Sequence, residues 1–331
     1  MTTILLIDAD STIPNIALMK LSTYHKSMGH DVFLYRHKLP YYPHRKKHKF
    51  VCPTGYDKVY CSVIFEGNAE YITGKNIQFG GTGVSLDRNL PDFIDSLECD
   101  YSIYPENTIS YGFITRGCIR KCAFCKVPKK EGYIHKYSDI DRVVKHRRVK
   151  FLDNNILAYK NHGEIFEELI RKGIRLQFNQ GLDIRLLTKD NSEQIRSLNY
   201  FGEYVFAFDN WALKPLIEEK LALLRWVKPW GVKFFMYVHP DMPLQHTVNR
   251  ILWAKQRGYL PYIMRDISCW GHRYAKFFID ICAYCNQAGL FKSLSFEEFL
   301  DKRAISDNRR EAHSVLWAPL AKNFMMEGGL F

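Results

Sequence analysis

The sequence predicts an α/β protein in which a doubly wound parallel domain is followed by a partial (β/α)6 barrel. Three observations carry this expectation. The chain opens on a continuous apolar run, Thr3–Asp8, then a helical pattern, then a second apolar run, which is the order of a βαβ unit. Six strand-like runs with helical segments between them recur from Ile109 to Met264. A length of 331 residues suffices for two cores.

Taken in order, Thr3–Asp8 reads as a buried parallel strand because apolar residues follow one another without alternation. Pro14 suits the first turn of a helix running from Asn15 to about Met28, and Gly29 is placed to stop it. Asp31–Tyr35 is the second strand, residues 36–49 form a basic loop, and Lys58–Phe65 and Asn76–Phe79 are the third and fourth strands. The fourth runs into Gly80, Gly81 and Gly83. Glycines at the carboxyl end of a parallel strand either let backbone amides approach a ligand or make a tight turn. This Rossmann-like domain is expected to span residues 1–106, the barrel 107–290, and a C-terminal helical extension 291–331.

The barrel strands are expected at 109–115, 149–152, 174–178, 204–208, 232–238 and 259–264, too few to close an eight-stranded barrel. Helices are expected at Glu164–Lys172, Ala212–Val227, Thr247–Gln256 and His272–Gln287, and Ser138-x-x-Asp141 has the pattern of a capping box. Polar clusters follow each strand: the cysteine loop, Asp153-Asn154-Asn155, Asn179–Arg185, Asp209-Asn210-Trp211, His239-Pro240-Asp241, and Arg265-Asp266. Each alone could be a cap or a turn. Their recurrence at strand ends favours a shared site.

No apolar run approaches the roughly 20 residues that span a bilayer, so no membrane partner is expected. The first residues read as a strand and not as a signal peptide. A cytoplasmic protein with nine mostly reduced cysteines is the expectation. The formal charge is +12, with basic residues crowded at 36–49 and 116–150. Such a field attracts anions, nucleic acid among them, although solubility alone accounts for many basic runs.

Cys118, Cys122 and Cys125 stand in a C-x3-C-x2-C spacing on a loop, where three thiolates can converge on one soft-metal centre. Three is one fewer than closed zinc sites and most iron–sulfur sites use. A fourth ligand comes from elsewhere, or one position stays open. Cys282 and Cys285, with Cys269 upstream, could form a second centre. However, Tyr274, Phe277, Phe278, Ile281, Cys282 and Cys285 make one apolar helical stripe, which favours core packing.

With Phe124 directly before Cys125 and a partial barrel downstream, the chain resembles the radical S-adenosylmethionine (radical SAM) superfamily over about residues 107–290. Its loop Gly117–Pro128 is also similar to that of the tRNA methylthiotransferases, although Cys52, Cys61 and Cys99 lack a matching context and no C-terminal β-domain is evident. The N-terminal domain resembles the cobalamin-binding-type domain found ahead of many such barrels. The resemblance implies a 4Fe–4S cluster on Cys118, Cys122 and Cys125, with SAM on the open iron and Phe124 beside its adenine. Asp153 and Asn154 sit where the family binds the SAM amino group, without its usual Gly-Gly-Glu. Gln180, Asp183, Arg185 and Asp209 are candidates for SAM ribose, SAM carboxylate or substrate contacts; Arg185 could instead pair with Asp183 or Asp209. Gly80, Gly81 and Gly83, with the Asp8–Thr12 loop, would face cobalamin as a candidate second cofactor, although the Asp-x-His-x-x-Gly motif is absent. A flavodoxin- or ferredoxin-like reductant is implied, with methyl or methylthio transfer to a small molecule or nucleic acid as the kind of chemistry. The alternative is a non-catalytic nucleic-acid-binding protein with a structural zinc or iron–sulfur site.

Overall fold

A computed structural model describes residues 1–40 and 45–326. Tyr41–His44 of the expected basic loop and residues 327–331 of the expected extension lie outside the described residues. The chain divides into two compact units, Met1–Leu152 and Asp153–Phe331. The expected boundary near residue 106 therefore falls inside the first unit.

In the first unit, β1 (Thr3–Asp8) leads through α1 (Ile16–Ser27) to β2 (Asp31–Arg36), followed by the short β3 (Phe50–Val51), then β4 (Lys58–Ser62), the short β5 (Ile72–Thr73) and β6 (Ile77–Gly80). Parallel pairing gives the order β2-β1-β4-β6, with Ile4 opposite both Val32 and Lys58. β3 and β5 form a separate parallel pair. These are Rossmann-like segments. The position of β1 between two partners explains its apolar run. Leu5 and Ile7 pack with Val59, Cys61 and Val63 on one face, while Ile4 and Leu6 pack with Leu18, Leu21 and Ile94 on the other.

Asn15 caps α1 by accepting from Leu18 N–H, so Pro14 lies outside the helix and not in its first turn. Gly29 (φ +76°) ends it as expected. β4 stops three residues before its expected end. Val63 N–H is taken by Gly80 O, and the Asp10 carboxylate accepts from Ile64 and Phe65 N–H at 2.8 and 3.0 Å, turning the chain out of the ladder.

The unit continues with α2 (Asp92–Asp95), β7 (Ile109–Gly112), β8 (Thr115–Arg116), α3 (Val127–Lys130), β9 (His135–Lys136), α4 (Ile140–Val143) and β10 (Arg148–Phe151). β7 and β10 pair in parallel. The capping box expected at Ser138 does not form. The cap of α4 is Asp139, which makes no side-chain cap bond, and the helix is a single turn.

The second unit contains α5 (His162–Arg171), β11 (Arg175–Phe178), α6 (Lys189–Ser197), β12 (Tyr204–Ala207), α7 (Lys214–Leu221), β13 (Val232–Val238), α8 (Leu244–Arg257), β14 (Leu260–Arg265), α9 (Ala275–Cys285), α10 (Ala288–Ser293), α11 (Phe296–Lys302) and α12 (Asp307–Met326). β12, β13 and β14 form a parallel sheet in that order, and single bridges join Leu176 to Tyr200 and Leu182 to Phe206. The helix expected over Ala212–Val227 is broken into α7 and flanking 3-10 turns. Among the described residues no helix is long and apolar enough to cross a membrane.

The C-terminal helices are fastened to α9 through Asp280, which is fully buried. Arg309 grips its carboxylate with Nε and Nη2 at 2.9 and 3.0 Å, Arg303 Nε lies 2.8 Å away, and His313 Nε2 stands at 2.7 Å. Burial pushes this carboxyl up, but the hydrogen bonds from His313 and Arg309 and the charges of Arg309 and Arg303 outweigh it and hold the pKa below the usual 3.8. The network's contribution is therefore present above the unfolded-state pKa and is lost as pH falls below it. Asp280→Asn leaves the half-buried Arg303 and Arg309 without their carboxylate and is expected to destabilise the fold by about 1–3 kcal/mol at pH 7. In urea denaturation, the gap between variant and parent should shrink as the pH is lowered below about 4.

Candidate functional site

The antiparallel pair β8–β9 places Thr115 opposite Lys136 and Arg116 opposite His135, closing the cysteine loop at its neck. Gly117 (φ +86°) is required there, because a Cβ would stand 2.4 Å from Tyr133 O. Cys118 N–H donates to Gly132 O at 3.1 Å, and Cys118 Sγ accepts from Arg120 N–H at 3.3 Å. Cys125 N–H donates to Cys122 O, making one turn that carries both residues. The far side of the loop is pinned by Lys130, whose Nζ donates to Leu86 O, Arg88 O and Asn89 Oδ1. Arg116 pairs with Glu131 at 3.4 Å and lies over the Tyr137 ring at 3.9 Å.

All three thiols are half-exposed, and Phe124 is exposed. Among the described residues no three His, Cys, Asp or Glu side chains are grouped so as to hold a metal ion. The three thiols nonetheless share one anchored loop, and a backbone N–H is directed at the sulfur of Cys118, soft donors of the type that iron–sulfur clusters take.

At the carboxyl ends of β1 and β6, most of the expected cobalamin-facing residues make contacts within the domain. Asp8 accepts from Tyr104 OH at 2.9 Å and Ser11 N–H at 3.0 Å, and burial raises its pKa against those bonds and the charge of Arg36. Asn15 Nδ2 donates to Ser11 and Ser62, and Asp10 also accepts from Asn68. A Cβ on Gly81 would stand 2.3 Å from Val63 O, and one on Gly83 2.7 Å from Phe65 backbone. These two glycines admit the protein's own chain. Gly80 has open space around its Cβ position.

In the second unit, Asp153 and Asn155 are buried and Asn154 half-buried. Asn155 Nδ2 approaches Asp183 Oδ2 at 3.4 Å. Arg185 grips Asp183 in bidentate fashion, Nε to Oδ1 at 2.6 Å and Nη2 to Oδ2 at 3.1 Å, which is the internal pairing weighed above. Gln180 is exposed. Asp209 accepts Tyr237 N–H at 2.8 Å. Burial raises its pKa, while that bond and the charges of Arg250 and Arg185 pull it down.

Sequence reasoning missed two residues at these strand ends. Tyr237 OH donates to Asp266 Oδ2 at 2.7 Å. Arg250, on α8, is fully buried and donates to Phe208 O at 2.8 Å and Tyr237 O at 3.1 Å; burial lowers its pKa to about 10. The available signal was an arginine among Thr247, Val248, Ile251 and Ala254, on the face a helix buries. Also missed was a cavity of about 230 Å³ in the first unit. Its polar lining is mutually satisfied: Lys20 donates to Asp95 at 2.9 Å and to Tyr137 OH at 2.7 Å, and Tyr137 OH donates to Asp95 at 2.6 Å.

Cys269, Cys282 and Cys285 are buried, which agrees with core packing. Burial pushes Cys269 up to about 11, Cys282 up to about 12, and Cys285 well above its ordinary value. No protein-family model matches the chain, and neither a curated protein nor a solved structure matches it. Exposure orders the thiols: alkylation of the native, metal-free protein by iodoacetamide should label Cys118, Cys122 and Cys125 first. Peptide mass spectrometry should find Cys52, Cys61, Cys269, Cys282 and Cys285 modified only after unfolding.

Proposed function

We propose that this protein is a radical SAM enzyme. The carrying observation is the anchored hairpin loop with three half-exposed thiols, Cys118, Cys122 and Cys125, in the C-x3-C-x-F-C spacing. These thiols would hold a 4Fe–4S cluster, which with bound SAM supplies one-electron cleavage of the sulfonium to methionine and a 5′-deoxyadenosyl radical. The chain's own residues bind, orient and exclude water. Phe124, exposed beside Cys125, offers a flat apolar face for adenine. The resemblance assigns the amino and ribose contacts to Asp153, Asn154, Gln180, Asp183 and Asp209, of which Asp183 is already paired with Arg185. Arg185 meets a ligand carboxylate only by exchanging its Asp183 partner, so it is a weaker candidate for that contact.

The finer fold that belongs to this reading is a partial (β/α)6 barrel over residues 107–290; what supports it is the parallel pairing of β7 with β10 and of β12, β13 and β14. No cobalamin step is included, because Gly81 and Gly83 are accounted for by backbone contacts within the domain. The electron would come from a flavodoxin- or ferredoxin-like protein, and methyl or methylthio transfer is the reaction type proposed.

Anaerobic reconstitution with iron and sulfide should give a brown protein that forms 5′-deoxyadenosine from SAM and dithionite. Cys122→Ala should abolish both the cluster signal and the product. About one zinc per chain without sulfide in protein isolated anaerobically would instead establish the structural-metal alternative.

A further inference from the structure

The charge of this protein is concentrated. Residues 116–150 hold twelve Lys and Arg against three Asp and Glu, so this segment carries +9 of the chain's +12. Several of these cations are occupied within the first unit: Arg116 by Glu131, Lys136 by Asp139, Lys145 by Glu98, Lys130 by loop carbonyls, and Arg142 by Ser96 O. Lys121, Lys126 and Lys129 are not. All three are exposed on the cysteine loop and pair with no carboxylate among the described residues. The pinning of the loop by Lys130 and Glu131 leaves them facing water.

The same hairpin exposes an aromatic ring. Tyr133 is 71% exposed, although its backbone is tightly held at the neck, where its carbonyl blocks any side chain at Gly117 and its neighbour Gly132 accepts from Cys118 N–H. A rigid backbone carrying a solvated ring is a stacking platform. Combined with unmatched lysines, it has the chemistry of surfaces that take single-stranded nucleic acid: cations track the phosphates, and the ring takes the face of an unpaired base. A duplex satisfies only the charges, because its bases are already stacked.

We propose that the cysteine hairpin binds unpaired nucleic acid, with phosphates on Lys121, Lys126 and Lys129 and a base stacked on Tyr133. The binding itself stands without the cluster. Only the further step, that this strand is the substrate, rests on the radical SAM reading, since Tyr133 neighbours the backbone of Cys118.

The test uses the full, metal-free chain and fluorescence anisotropy with a labelled 15-nucleotide RNA of mixed sequence. The single strand should bind at least tenfold more tightly than the same sequence as a duplex. Tyr133→Ala should weaken the single strand by about 5- to 100-fold, with Tyr133→Trp restoring it. The triple variant Lys121→Gln, Lys126→Gln, Lys129→Gln should lower the salt slope by about two. The single-stranded DNA of the same sequence reports whether the 2′-hydroxyl is read. Equal binding of single strand, duplex, polyglutamate and phosphatidylserine vesicles, or full affinity in Tyr133→Ala, overturns the proposal. Circular dichroism and melting confirm that these exposed substitutions leave the fold intact. A protein that forms 5′-deoxyadenosine but binds no RNA refutes this inference alone, and one that binds RNA but never loads a cluster refutes the enzyme reading alone.

Discussion

Parallel strands send their carboxyl ends the same way, and the last peptide groups there have no ladder to bond with. Both units meet this demand with buried side chains. In the first, the Asp10 carboxylate accepts the N–H groups of Ile64 and Phe65, and Asp8, Asn15, Ser62 and Tyr104 interlock beside it. In the second, Arg250 donates to the carbonyls of Phe208 and Tyr237, while Asp209 accepts Tyr237 N–H. The loops that leave these ends start from fixed positions because of this bonding, whereas the cysteine loop is held separately by the β8–β9 pair and Lys130.

Much of the strand framework was legible in the sequence. Continuous apolar runs identify parallel strands because both faces are covered, and β1, β2, β13 and β14 fall within a residue of their expected bounds. Helix ends were less legible where side chains compete for the backbone. Ser138 reads as a cap by pattern, yet the true boxes are Thr188 with Asn191 and Ser295 with Glu298. The second of these has the Ser-x-x-Glu pattern in plain view. The Asp10 turn that ends β4 was not legible, since it depends on a carboxylate 54 residues away.

The candidate site was legible in part. The cysteine spacing is local, and so is the glycine that shapes its loop. Not every pairing was readable: Arg185 could meet a ligand carboxylate, Asp183 or Asp209, and Arg250 drew no attention because its partners are backbone carbonyls. The glycines at 80–83 illustrate the ambiguity of small residues. The same absence of a side chain serves a ligand or a neighbouring strand, and only the position of Val63 and Phe65 separates the two.

The burial of most of the remaining thiols has a consequence for assembly. Cys61 and Cys282 hold their protons up to about pH 12, and Cys99 and Cys269 to about 11. Iron binds thiolate, so at neutral pH such groups are poor competitors for it. Burial thus sets Cys61, Cys269 and Cys282 apart from the half-exposed Cys118, Cys122 and Cys125.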